Sequence, residues 1–183
     1  MVIGRPRVGK TRFVEALAAF LGAEPDLVTG PRAAVGLHPR REASAPLAPL
    51  AVRDRHGRPW LRLIDTASLR EDIPERADMR RAMALALTRL QEADVVFHLL
   101  DAAQAGRLSS FQVPRLDREV RAYALTRPVY VVIATKADAF TAAEGVRRLR
   151  AQFPSDLLIP VSNTTRRGLR EVRRFLATRA APL

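Results

Sequence analysis

The sequence predicts an α/β fold of three layers, with helices on both faces of a mostly parallel sheet. Three observations support this prediction. Segments of strand length alternate with segments of helical periodicity along the 183 residues. The segment 94–102 is continuously apolar, which is typical of a strand covered on both faces. The length and a hydrophobic content of 48% fit one domain, 1–183, with a sizeable core.

Six strands and five helices are expected in chain order. The strands are predicted at 1–3, 47–54, 58–65, 94–102, 128–138 and 156–162. The helices are predicted at 11–22, 74–93, 113–126, 141–153 and 167–180. The second and third strands form an antiparallel hairpin around a tight turn at 54–58, and right-handed helical crossovers make the remaining strands parallel. Ligands of such a sheet bind beyond the carboxyl ends of its strands.

The composition excludes several classes of protein. The absence of cysteine excludes disulfides and thiolate metal sites. No apolar run approaches the roughly 18–20 residues of a membrane span, and residues 1–3 are too few for a secretory signal, so we expect a cytoplasmic protein. The net charge of +12 invites a nucleic-acid interpretation. Only Lys10 and Lys136 among the 31 basic residues are lysine, however, and wholesale arginine favours a general compositional bias.

The segment 4–11, GRPRVGKT, fits the phosphate-binding pattern G-x-x-x-x-G-K-[ST]. Such a loop directs backbone N–H groups at an anion where a helix begins. Lys10 is expected to reach the β- and γ-phosphates, and the Thr11 hydroxyl to hold Mg²⁺. Asp65, which ends an apolar strand, is expected to hold the same metal through a water, opposite Thr11. Nucleotide contacts are predicted for Gly4, Arg7, Val8, Gly9, Lys10, Thr11 and Arg12.

The segment 135–138, TKAD, indicates which nucleotide base the site selects. Asp138 can accept hydrogen bonds from N1–H and the 2-amino group of guanine, whereas adenine would leave this carboxylate unpaired. Thr135 and Lys136 belong to the same predicted site, and the Lys136 stem can lie along the base. Ser162 and Asn163 follow the last strand, where their backbone N–H groups can meet the base O6. An ATP-dependent kinase stays open, but it would leave TKAD without a role.

The order of these motifs, GxxxxGKT, DxxS, TKxD and S-N, resembles the guanine-nucleotide-binding domain of the Ras-like (TRAFAC) P-loop GTPases. The segments 65–102 and 161–176 resemble their counterparts in the bacterial Era and TrmE-type branch. The resemblance implies a P-loop NTPase G-domain fold, binding of GTP or GDP with Mg²⁺, and slow hydrolysis of GTP in a molecular switch. Protein effectors would then contact residues 23–46 and 66–80.

Several positions depart from the family pattern. Ser68 replaces the glycine of the third motif, and Leu69 follows where Ras-like proteins carry a water-orienting glutamine. Arg7 occupies the position of an asparagine that helps to bind K⁺ in the Era-like branch. Arg7 therefore joins Lys10 as a candidate catalytic residue, acting like an arginine finger in cis. The alternative is that Arg7 faces solvent or pairs with Asp26, Glu71 or Asp72.

Other parts of the pattern leave alternatives open. The second motif is either Thr29 or Ser44, within a long, mobile switch-like loop at 23–46. The first strand, 1–3, is either short or truncated. The function is either a switch GTPase, a hydrolysis-impaired GTP-binding scaffold, or an RNA- or ribosome-associated assembly GTPase that uses the arginines of 166–179. His98 is expected to be a hydrogen-bonded core residue.

Overall fold

The computed structural model describes residues 1–25, 50–53, 57 and 59–179. Most of the predicted switch-like loop lies outside these ranges, as do the two second-motif candidates Thr29 and Ser44. The tip of the predicted hairpin turn and Asp26 also lie outside the described residues.

The predicted α/β class is confirmed, and each predicted strand and helix has a counterpart. The strands are β1 (Val2–Ile3), β2 (Glu24–Pro25), β3 (Leu50–Arg53), β4 (Pro59–Leu63), β5 (Val95–Asp101), β6 (Val129–Thr135) and β7 (Leu158–Pro160). The helices are α1 (Lys10–Leu21), α2 (Ala77–Gln91), α3 (Ala102–Arg107), α4 (Arg115–Ala124), α5 (Ala142–Gln152) and α6 (Leu169–Arg179). Within the described residues, β2 and α3 are additions to the prediction.

The strands form two sheets, of four and three strands, whereas we expected one sheet of six strands. The order β1-β5-β6-β7 is parallel throughout, and β2-β3-β4 is antiparallel. A backbone hydrogen bond of 2.9 Å from Val2 N to Ile64 O joins the end of β4 to β1. Because β1 has only two residues, it offers too few backbone groups for a regular ladder on this side. The hydrogen bond from Val2 to Ile64 places the predicted hairpin beside the first strand.

Helices cover both faces of the parallel sheet. On one face, α1 and α6 contribute Phe13 and Leu176 to a core that includes Phe97 of β5. On the other face, α3 and α5 pack on β6 in one cluster, and α2 and α4 pack on β1 and β5 in another. This arrangement gives the three predicted layers. It leaves the carboxyl ends of the strands, where the predicted motifs lie, uncovered by helices.

A buried polar network lies beneath the predicted phosphate loop. Asp117 of α4 is 1% exposed, and its two carboxylate oxygens face different partners. Oδ2 lies 2.8 Å from Arg5 Nε in the loop, and Oδ1 lies 3.1 Å from His98 Nε2 in β5. The other ring nitrogen of His98 lies 2.8 Å from the Tyr130 hydroxyl. His98 is thus a hydrogen-bonded core residue, as predicted.

The proton positions in this network follow from its acceptors. A carboxylate only accepts, so the Nε2 atom of His98 donates to Asp117, and the Nδ1 atom accepts from Tyr130. Burial raises the pKa of the Tyr130 hydroxyl, which keeps its proton available for this bond. The network fixes the loop to β5, β6 and α4 through Arg5.

We expect Asp117→Ala to lower the free energy of unfolding by about 3 kcal/mol, because it leaves Arg5 without its ion-pair partner and His98 without its hydrogen-bond acceptor. The value is at the low end for buried ion pairs since Arg5 is partly exposed. Urea unfolding measures the loss. Glu119→Ala removes an exposed carboxylate from the same helix and is expected to change stability little. Equal losses in the two variants would contradict a structural role for the network.

Candidate nucleotide-binding site

The loop from Gly4 to Gly9 connects β1 to the first turn of α1. Gly9 precedes the helix with a φ of 94°, and Gly4 lies so close to β5 that a Cβ there would be 2.7 Å from Leu99 O. Both positions therefore require glycine, for conformation and for space respectively. Arg7 also has a left-handed φ, 63°, which is strained for a residue with a side chain.

The Lys10 ammonium group lies inside the loop. The residue is 7% exposed. Its Nζ atom donates to Arg5 O at 2.9 Å and to Ser68 Oγ at 2.8 Å. Burial lowers the pKa of Lys10 to about 8, and the charge of Asp65 offsets part of this effect. The loop thus concentrates positive charge where a phosphate-binding loop requires it.

Thr11 and Asp65 come together at the start of α1 and the end of β4. Thr11 Oγ1 donates to Asp65 Oδ2 at 2.8 Å, and Asp65 is buried. A hydroxyl and a carboxylate are oxygen ligands of the kind that Mg²⁺ takes, so this pair fits the metal. The described residues contain no cluster of three or more acidic or histidine side chains suited to a metal. A metal here would complete its coordination with oxygens of water or phosphate.

The TKAD residues begin with Thr135, the last residue of β6, at the same edge of the sheet. The Thr135 hydroxyl is fully buried, 2.8 Å from Val8 O and 3.1 Å from Leu100 O, so its contacts support the phosphate loop. Lys136 Nζ pairs with Asp101 Oδ2 at 2.5 Å. Asp138 is exposed, and its carboxylate makes no hydrogen bond with the part of the chain that the structure describes. Of the three side chains, Asp138 is the one available to a base.

The segment after β7 closes the other side of this region. The Ser162 N–H donates to Arg167 O at 3.0 Å, which leaves the Asn163 N–H as the better candidate for the base O6. The Asn163 side chain donates to Gly9 O at 3.2 Å and so ties this segment to the phosphate loop. A cleft of about 360 Å³ opens next to it, between α1 and this segment. It is lined by Arg12, Glu15, Ala16, Ala19, Asn163, Thr164 and Arg166.

The structure shows the contacts of Arg7 and Leu69, two residues that depart from the family pattern. The Arg7 side chain is exposed and forms no ion pair within the described ranges. Its two described candidate partners contact other groups, Asp72 with Arg70 and Glu71 with the Leu116 N–H. Leu69 is buried in the core, packed with residues of β1, α2 and α4. Sequence reasoning missed two side-chain partners, Ser68 for Lys10 and Asp101 for Lys136.

Comparison with protein-family models places most of the chain in one family. The model described as "50S ribosome-binding GTPase" matches residues 1–136. A comparison with curated proteins gave no match. Among the described helices, none is both long and apolar enough to cross a membrane.

Several solved structures share the fold. A variant of Era from Aquifex aeolicus, bound to GDP and AlF4⁻, aligns with a TM-score of 0.64 at 19% identity, over 97% of this chain and 55% of that one. Era in complex with MgGDPNP and 16S ribosomal RNA aligns at 0.63 and 21%, over 97% and 54%. The G domain of the T. maritima FeoB iron transporter aligns at 0.57 and 16%, over 99% and 96%.

This chain thus spans about half the length of the Era structures and nearly all of the FeoB G domain. At these identities the likeness establishes the fold. The family match covers the phosphate loop and the segment 65–68, and it ends at Lys136, before Asp138 and Ser162. The chain belongs to the P-loop GTPase family described as 50S ribosome-binding GTPases, and it has the G-domain fold of Era and FeoB.

Proposed function

We propose that the protein binds GTP with Mg²⁺ and hydrolyses it slowly, as a cytoplasmic molecular switch. The observation that carries this proposal is the hydrogen-bonded pair Thr11–Asp65 beside the buried Lys10. It brings the two candidate metal ligands and the candidate phosphate-binding lysine together at the carboxyl ends of the parallel strands. Members of the family bind GDP or GTP with Mg²⁺, and the site has the residue types for both.

Each residue has a defined task in this proposal. Lys10 and the N–H groups at the start of α1 bind the phosphates, and Thr11 and Asp65 hold the metal. When bound, Mg²⁺ neutralises charge that develops on the phosphate oxygens. Asp138 selects guanine by accepting two hydrogen bonds. The attacking water has no general base among the described side chains near the loop, so we expect slow turnover.

Arg7 is the candidate for additional charge stabilisation. It is exposed at the loop, has no ion-pair partner among the described residues, and is held in a strained conformation. Such strain is found where a structure holds a residue for a function. A guanidinium there would also repel a monovalent cation, so the reaction should not depend on K⁺.

The second candidate function for the same site is that of a scaffold that binds GTP and barely hydrolyses it. The buried Leu69 cannot orient water, which favours this reading. Single-turnover hydrolysis by the wild-type protein separates a slow enzyme from a scaffold. In either case effectors would contact the segment 66–80, where Ile73 is 79% exposed.

The base preference is tested by Asp138→Asn. We expect GTP affinity to fall by roughly 100-fold, because the amide carries no charge and directs an N–H donor, in place of one acceptor oxygen, at the donors of guanine. XTP affinity should rise, since the new amide can donate to the 2-oxo group of xanthine. Calorimetric titration with GTP, XTP and ATP measures the changes. Glu119→Gln, an exposed carboxylate-to-amide change on α4, should leave all three affinities as in the wild type; a wild type without preference for GTP over ATP would refute the proposal.

The role of Arg7 is tested by Arg7→Ala and Arg7→Asn. We expect Arg7→Ala to slow single-turnover GTP hydrolysis by at least about 10-fold in Na⁺ and in K⁺ alike. Arg7→Asn, which restores the residue of the Era-like branch, should gain stimulation by K⁺. Arg150→Ala removes an exposed arginine from α5 and should keep the wild-type rate. Unchanged rates for Arg7→Ala in both salts would exclude the role.

An RNA- or ribosome-associated role is favoured by a separate observation. Arg170, Arg173 and Arg174 of α6 are exposed and form no ion pair in the described structure. Arg89, Arg115 and Arg147, which lie on other helices, each pair with a glutamate. Unpaired arginines on one helix are suited to phosphate contacts. A family member's structure contains 16S ribosomal RNA, which is consistent with this role.

Two charge-matched triple variants test this role by fluorescence anisotropy with a structured RNA. Replacing Arg170, Arg173 and Arg174 by alanine should weaken binding and reduce the salt slope by about 3. Replacing Arg89, Arg115 and Arg147, which are ion-paired, removes the same charge and should have a much smaller effect. Equal losses would indicate that only the overall charge matters.

A further inference from the structure

The segment after β4 is attached to β1 and to the phosphate loop at three points. The Thr66 hydroxyl donates to Val2 O at 2.7 Å. The Leu69 N–H donates to Gly4 O at 3.2 Å, and the Leu69 side chain is buried in the core. Between these anchors, Ser68 accepts a hydrogen bond of 2.8 Å from Lys10 Nζ. The anchors on both sides leave the Ser68 hydroxyl little freedom to move away from the ammonium group.

This contact depends on the serine hydroxyl. The family that the chain resembles has a glycine at this position and therefore lacks the hydroxyl. Glycine at this position has an N–H group but no hydroxyl, so it could not accept a hydrogen bond from Lys10 in this way. Ser68 has a negative φ, which any residue with a side chain adopts without strain, so the serine fits its backbone as found. The hydroxyl is thus a specific feature of this chain in an otherwise shared loop.

The same ammonium group is the one that a phosphate needs. Lys10 is almost fully buried and points between Ser68 Oγ and Arg5 O, its two acceptors. A phosphate that binds Lys10 must replace at least part of this pairing. The exchange removes a charge-assisted hydrogen bond, which is among the stronger kinds in proteins. Its loss therefore opposes binding of any phosphate chain.

We propose that Ser68 is a positioning residue that holds the Lys10 ammonium group and competes with the nucleotide phosphates for it, which lowers affinity for GTP and GDP. This inference rests on the proposed function for its ligand. The competition acts on phosphate alone, without reference to the base. Removing the hydroxyl should therefore strengthen binding of GTP, GDP and inorganic triphosphate by a similar factor.

The binding test uses Ser68→Ala and Ser68→Gly in the full chain, titrated calorimetrically with GTP, GDP and inorganic triphosphate. We expect each ligand to bind about 5- to 10-fold more tightly to both variants, the effect of one hydrogen bond. Ser68→Thr keeps the hydroxyl and should bind each ligand with the affinity of the wild type. Ser155→Ala removes an exposed serine hydroxyl far along the chain from the site and should change nothing.

A second readout needs no nucleotide. The chain has two lysines, so amine labelling followed by mass spectrometry reports Lys10 with Lys136 as an internal reference. Without ligand, we expect Ser68→Ala to label Lys10 several-fold faster, while Lys136, paired with Asp101, labels as in the wild type.

Unchanged or weaker triphosphate affinity in Ser68→Ala would overturn the proposal, as would an unchanged labelling rate at Lys10. A wild-type protein without preference for guanine would refute the proposed function instead. The role of Ser68 would then still be decided by inorganic triphosphate and by the labelling of Lys10.

Discussion

The placement of the end of β4 beside β1 is the constraint on which the whole site depends. β1 has two residues, and Val2 alone provides both contacts to this segment, through its N–H to Ile64 and its carbonyl to Thr66. These two bonds set the register that brings Asp65 to Thr11. Of the two proposed metal ligands, Asp65 lies on the segment that these bonds hold beside β1, and Thr11 lies on the helix that follows β1. A site of this kind therefore depends more on two backbone groups than on the length of the strand.

A second consequence of this register is that several polar side chains around the loop are hydrogen-bonded within the site. Thr11 is bonded to Asp65, Lys10 to Ser68, and Asn163 to Gly9. Unpaired polar groups in a buried site are strongly unfavourable, so these pairs allow the loop to exist as a rigid structure. They also mean that ligand binding is an exchange of hydrogen bonds. The affinity then reflects the difference between two sets of partners.

Much of this site could be predicted from the sequence because its motifs are local. The phosphate loop and Asp65 are recognised from residues that are near neighbours in the chain or directly follow an apolar strand, and the structure brings them together as expected. TKAD was placed correctly at a strand end, but the hydroxyl of Thr135 faces the phosphate loop. That orientation depends on Val8 O, 127 residues away in sequence. The local sequence pattern predicts where TKAD lies, whereas tertiary packing determines where the Thr135 hydroxyl points.

The contacts that could not be predicted all join residues that are far apart in sequence. The sequence marks Ser68 only as a replacement of the glycine of the third motif, since nothing near it indicates that its hydroxyl meets Lys10. Asp117 reads from sequence as an ordinary acidic residue in the first turn of a helix, a favourable position near the helix dipole. Its burial against Arg5 and His98 follows from the packing of α4 on β5. The hairpin was predicted, but its incomplete ladder with β1 follows from the shortness of that strand.

The two lysines show how local chemistry can override a compositional bias. Arginine supplies nearly all other positive charge, yet Lys10 occupies a buried site with two acceptors 2.8 and 2.9 Å from one nitrogen. A compact ammonium group fits between them, whereas a planar guanidinium is broader and directs its donors in a fixed fork. Burial lowers the pKa of Lys10 to about 8, and a guanidinium would resist such a shift. The demand for lysine thus arises from the enclosed geometry of the loop, and the same demand explains why arginine is accepted at the exposed position 7.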